Sequence, residues 1–200
     1  MADNYLERRM EELRRGETAK NYLTGKTSAR KGGLHFAFPP KRVLIVSEHP
    51  KAADLALIFL KTESKVAMMH SRGEEGAGMA ASKGIRFYHL EEPQQLTGYF
   101  SDILKAWRDI DILVTDTSSS DTLLSQWIQH RERFPYVSDY TCRIIILGNQ
   151  NPDVLVKEAE RVKATVNTIN SSDPDTDFSP LAAMLAIPAN NIINGMIFNV

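Results

Sequence analysis

The chain lacks the features that would take it out of the ordinary globular classes. It has one cysteine in 200 residues, so no intrachain disulfide can hold it. Cys142, beside the run RIIIL, reads as a buried small hydrophobe rather than a nucleophile. No apolar run approaches the roughly 18 residues a membrane span needs, and the opening MADNYLERRMEELRR is too charged for a secretory signal. The expectation is a cytoplasmic protein. Glycine is missing where it would be most informative: the segment VLIVSEHPKAADLALIFL, residues 43–60, passes from an apolar strand through a turn into an amphipathic helix, and the turn has none. With 42% hydrophobic and 24% charged residues, the chain can bury one sizeable core.

The net charge of −1 conceals an asymmetry. Residues 1–42 hold ten Lys and Arg against five acids, which leaves the body acidic. The arm's acids interleave with its basic residues, so nucleic-acid binding is not expected; the arm is read as packing on its own body or on a second subunit. Tyr5, Leu6, Met10 and Leu13 share a face at helical spacing and predict a short helix over 3–15. Residues 16–33 follow as a basic linker, and LHFAFPP returns to extended apolar chain stopped by two prolines.

From residue 41 onward, strands and helices alternate. Strands are predicted at 42–47, 65–70, 85–90, 111–116, 143–148, 164–169 and 196–200, and helices at 51–61, 74–82, 94–107, 120–131, 151–162 and 179–187. Continuous apolar strands separated by helical patterns predict a doubly wound α/β domain, with a parallel sheet covered on both faces. The expected organisation is an arm over 1–40 and one domain over 41–200.

RVLIVSEHPKAADLAL resembles the opening of a response-regulator receiver domain, where Asp116, closing DILVTD, would be the phospho-accepting residue. Only Glu48 stands where that family has two acids, and the final strand is unexplained. More of the chain resembles the short-chain dehydrogenase/reductase family. DIDILVTDTS matches the place of that family's Asn-Asn-Ala-Gly strand, ATVNTINSS its sixth strand, and LAAMLAIPANNIINGMIFNV its closing helix and strand. MADNYLERRMEELR also resembles the extension of some bacterial members. The resemblance implies a Rossmann-like sheet of about seven strands in the order 3-2-1-4-5-6-7.

The same resemblance shows what has changed. The glycines of the family's cofactor turn serve because they allow left-handed backbone and close approach of a pyrophosphate to main-chain amides. In this alignment they become Ser47, Lys51 and Ala53. Pro50 removes an amide, and Glu48 brings a carboxylate to the helix N-terminus, where it would stabilise the helix or fill the phosphate site itself. The Asn-Asn-Ala-Gly stretch becomes Thr115, Asp116, Thr117 and Ser118. Hydride transfer in the family uses a Ser after the fifth strand and a Tyr-x-x-x-Lys in the next helix, because the reduced carbonyl needs a proton donor. Here that strand ends Gly148-Asn149, and the helix NPDVLVKEAERV places Asp153 where the Tyr precedes Lys157.

The vestigial cofactor positions implied are Ser47, Glu48, His49, Arg72, Asp116, Thr117 and Gly148. Arg72 stands where NADP-binding relatives hold the 2′-phosphate, or it is a solvated arginine. His49, His70 and His89 follow neighbouring strands, and Glu48 and Glu91 lie close by, but the spacing marks no metal site and none is expected. Trp107 and Trp127 read as packing residues. The resulting expectation is a non-catalytic, short-chain-dehydrogenase-like accessory subunit with no bound cofactor. It would pair with a second copy or with an active relative through helices 120–131 and 151–162, using Leu123, Leu124, Trp127, Ile128, Val154, Leu155, Ala159 and Val162 unless these only pack on the sheet. An NAD(P)-binding oxidoreductase with a rearranged turn, and a receiver-like or small-ligand sensor, stay open as alternatives.

Overall fold

A computed structural model describes residues 38–71, 84–134, 141–171, 173, 175–187 and 193–200. The arm over 1–37, the helix expected at 74–82 and Arg72 lie outside the described residues.

Seven strands form one sheet: β1 (Arg42–Val46), β2 (Lys65–His70), β3 (Arg86–His89), β4 (Ile112–Asp116), β5 (Cys142–Leu147), β6 (Ala164–Asn170) and β7 (Met196–Asn199). All pair in parallel, in the order β3-β2-β1-β4-β5-β6-β7. The helices are α1 (Ala52–Leu60), α2 (Gln95–Trp107), α3 (Thr117–Arg133), α4 (Asp153–Arg161) and α5 (Ser179–Leu185). The seven strands in this order depart from the receiver layout, and the likeness to a receiver goes no further than the β1–α1 segment.

Strand alternation divides the core into two layers. Leu44, Val46, Leu113, Ile144 and Ile146 face α2, α3 and α4. Val43, Ile45, Val114, Ile145 and Leu147, one residue out of phase, face α1 and α5. A strand buried on both faces favours apolar residues at successive positions, and for that reason β1, β4 and β5 carry the continuous runs VLIV, ILV and IIIL. Leu123, Leu124, Trp127, Ile128, Leu155, Ala159 and Val162 are all buried in the first of these layers. These side chains are consumed by helix-to-sheet packing, so any partner meeting α3 and α4 would touch their polar outer faces.

The lower rim, where β1 and β4 begin, is pinned by ion pairs. The Arg42 guanidinium donates to both oxygens of Asp111 at 2.7 and 2.9 Å, and the Arg42 amide to one of them at 2.9 Å. Asp109, fully buried, accepts from Trp127 Nε1 at 2.8 Å and from Arg131 Nη2 at 2.6 Å. Arg131 in turn lies over the Trp127 ring and donates to the Cys142 sulfur.

Sequence and structure part at the start of α3. The helix is expected only from residue 120, three residues later than it starts, because the hydroxyls of residues 117–119 compete with helix formation by bonding nearby backbone. In the fold the helix begins directly after β4. The Ser120 hydroxyl bonds the Thr117 carbonyl at 2.9 Å and Gln150 Oε1 at 2.8 Å, so the serine bonds within the helix and outward to the next loop.

Candidate functional site

The strand order reverses between β1 and β4. From β1 the chain leaves over one face through α1, and from β4 over the opposite face through α3. Such a divergence opens a crevice beyond the carboxyl ends of the two strands, which is where doubly wound sheets bind ligands. Strand register decides which residues meet there. Val46 pairs with Thr115 and with Met69, so Ser47 comes level with Asp116, and Glu48 with Ser71.

Asp116 is the centre of the arrangement. Its carboxylate accepts the Ser47 hydroxyl at 2.6 Å on Oδ1 and the Glu48 amide at 2.7 Å on Oδ2. The Ser47 oxygen also accepts the His49 amide at 3.0 Å. Burial pushes the Asp116 carboxyl above the usual carboxylate range and the Glu48 charge adds to this, against the hydrogen bonds from Ser47 and the Glu48 amide and the nearby His49. Thr117 opens α3 and donates its hydroxyl to the Leu147 carbonyl at 3.3 Å. Gly148, just past β5, has φ +120°, and a Cβ there would stand 2.7 Å from Thr117 Oγ1. Glycine is required at this position for the close approach of α3 to β5.

Glu48 does not sit on the N-terminus of α1. Its carboxylate accepts the Ser71 amide at 2.8 Å and the Ser71 hydroxyl at 2.6 Å, with His70 Nδ1 at 3.4 Å. The carboxylate anchors the β1 turn to the end of β2, and the internal anion facing the turn is Asp116 instead. His49 packs edge-on against Phe178, ring centroids 4.7 Å apart, and its Nδ1 accepts the Lys51 amide. Burial holds the His49 ring below its ordinary pKa, more than Asp116 raises it. Pro50 lies ahead of the helix, which begins at Ala52. His89 bonds the Ser71 carbonyl through Nε2 and approaches Glu91 through Nδ1. Among the described residues no three of His, Cys, Asp and Glu come together as metal ligands.

The fold brings together Ser47, Glu48, His49, Asp116, Thr117 and Gly148 along this rim. Ser71 and Phe178 were not singled out in the sequence. Ser71 had a readable signal, since it stands two residues beyond Met69, level with Glu48. Phe178 had none, because it reaches His49 from the far side of the β6–α5 connection.

A dinucleotide needs acceptors for its ribose hydroxyls and donors for its pyrophosphate. The Glu48 carboxylate fits the first need. The second is not met as the turn stands. The amides of Glu48, His49, Lys51 and Ala52 are taken by Asp116, Ser47 Oγ, His49 Nδ1 and the His49 carbonyl, and Pro50 has no N–H.

No family model matches the chain, and no curated protein matches it. Solved structures do. An NADH-dependent reductase, A1-R′, complexed with NAD is similar at 13% identity and TM-score 0.67, over 81% of this chain and 95% of the other. BdcA in complex with NADPH is similar at 14% and TM-score 0.57, over 82% and 93%. A short chain dehydrogenase from Mycobacterium smegmatis is similar at 10% and TM-score 0.61, over 87% and 97%. The expectation of no cofactor is thereby corrected, since neighbours in this fold hold NAD or NADPH. That expectation took the glycine-rich turn as the sole determinant of binding, whereas the crevice arises from strand order. The chain has the seven-stranded Rossmann fold of the short-chain dehydrogenase/reductases.

Proposed function

We propose that this chain is a dinucleotide-binding accessory subunit of short-chain-dehydrogenase type. In this reading it takes an NAD(P)-class ligand in the β1/β4 crevice through a rearranged turn, and does not itself perform tyrosine-dependent carbonyl reduction. One observation carries the reading. On α4, the helix after β5, Asp153 stands four residues before Lys157, where a phenol would be needed to protonate the reduced carbonyl. With Asp153 at that position the helix carries no tyrosine hydroxyl to serve as the proton donor. Dinucleotide binding is supported by the fold's likeness to structures crystallised with NAD and NADPH and by the acceptors at the crevice mouth.

The chain's own groups then have definable tasks. Glu48 orients hydroxyl-bearing ligand groups, and Phe178 with His49 forms an apolar flank. Association with a second copy or an active relative, and a cytoplasmic location, belong to the same reading. Titration of NADH and NADPH, followed by quenching of tryptophan fluorescence, is expected to show micromolar binding, with no turnover of a panel of aldehydes and ketones. Saturable turnover would establish the oxidoreductase alternative. Absence of binding would overturn the reading.

A further inference from the structure

Asp116 stands at the N-cap position of the 17-residue helix α3, with extended backbone at φ −73° and ψ 157°. A carboxylate there ordinarily accepts an amide of its own helix, which stabilises the helix by about 1 kcal/mol. Asp116 makes no such bond. Both its oxygens instead cross the crevice to the Ser47 hydroxyl and the Glu48 amide. These donors, with the His49 amide behind Ser47, form a small anion-binding cluster at the strand-order reversal, and its occupant is the chain's own carboxylate.

We propose that Asp116 is the internal anion that holds the β1–α1 turn closed, and that an anionic ligand group enters by displacing it from Ser47 and Glu48. This rests on the dinucleotide reading above and adds to it the residue that controls entry. The displaced carboxylate has a second home, since rotation about its own side chain returns it to the amides of Ser118 and Ser119 that an N-cap serves. No movement of α3 is required, and the packing of Thr117 against Gly148 holds the helix start in place. The displacement exchanges one anion for another on the same donors. The dinucleotide must therefore overcome both the loss of the Asp116 bonds and the repulsion from its charge.

The titratable groups of the turn that act on Asp116 are Glu48 and His49. The β5 end contributes Leu147 and Gly148, which carry no charge. Burial favours protonation of Asp116, so a fall in pH removes the competing charge before an ordinary surface carboxylate would respond.

The test compares the full-length wild type with Asp116→Asn and Asp116→Ser, using NADH and NADPH as probes. Asparagine keeps the shape but loses the charge and one acceptor. Serine caps α3 well and is too short to cross the crevice, which covers the case in which asparagine disturbs folding. Both variants are expected to bind the dinucleotide about tenfold more tightly or better, as for loss of one charge-assisted competitor. Wild-type affinity should rise as pH falls toward the carboxylate range, and the variants should lack the part of that rise that belongs to Asp116. Wild-type binding with unchanged affinity and pH profile in both variants would overturn the role of Asp116 and leave the dinucleotide reading standing. No binding by any of the three proteins would overturn both.

Discussion

At the scale of single residues, the site depends on side chains whose importance lies in where they reach. Ser47, Glu48 and Asp116 were legible as strand-end residues, and parallel register puts them level with one another. Their partners were not legible. Whether Glu48 turns toward α1 or toward Ser71 depends on a loop geometry that no spacing encodes. Gly148→Ala is expected to lower stability by about 1–3 kcal/mol, through left-handed strain and the clash with Thr117; urea unfolding measures it. Arg108 supplies a contrasting case. It follows α2 with φ +67°, a backbone that glycine adopts without strain. Arg108→Gly should therefore raise stability by several tenths to about 1 kcal/mol in the same unfolding experiment.

At the scale of elements, periodicity identified every strand and helix among the described residues to within three residues at either end, because buried strands and amphipathic helices declare themselves in hydrophobic pattern. The start of α3 was missed because its serines are poor helix formers rescued by tertiary bonds, Ser120 to Gln150 among them. The same helix is fastened at its other end by Asp109. Asp109→Ala would strand the Arg131 charge and the Trp127 indole N–H in the core, and is expected to cost about 3–5 kcal/mol. A shift of the urea midpoint with unchanged slope would be the corresponding signature. A loss below 1 kcal/mol would show that Arg131 finds solvent without it.

At the scale of the whole molecule, the two rims of the sheet respond to acid in opposite senses. At the lower rim, burial pushes the Asp111 carboxyl up, but the hydrogen bonds and charge of Arg42 outweigh this and hold it below the usual range. The stability it contributes is present above the unfolded carboxylate value of about 3.9 and is lost as pH falls through the lower folded value. At the upper rim, Asp116 is raised by burial. Its folded state favours the proton, so its contribution is fullest below about 3.9 and fades as pH rises through the folded value. Unfolding free energy measured against pH should therefore fall steeply only in strong acid for the wild type. Asp116→Asn should remove the gentler decline on the alkaline side of the carboxylate range, and Arg42→Met should bring the acid collapse to higher pH.

The topology was legible because alternating strand and helix patterns leave few ways to cover a parallel sheet. The ligand chemistry was not, because it rests on which donors face which acceptors across a crevice.

The single cysteine bears on how the molecule can be watched. Cys142 lies buried beneath Arg131, and burial pushes its thiol up to about 11. At neutral pH it is shielded and almost wholly protonated, hence slow toward alkylating reagents. The native chain thus offers a nearly dark background for thiol chemistry. A cysteine placed on the outer face of α3 would carry a fluorophore to one defined position beside the crevice, without first removing anything the fold uses.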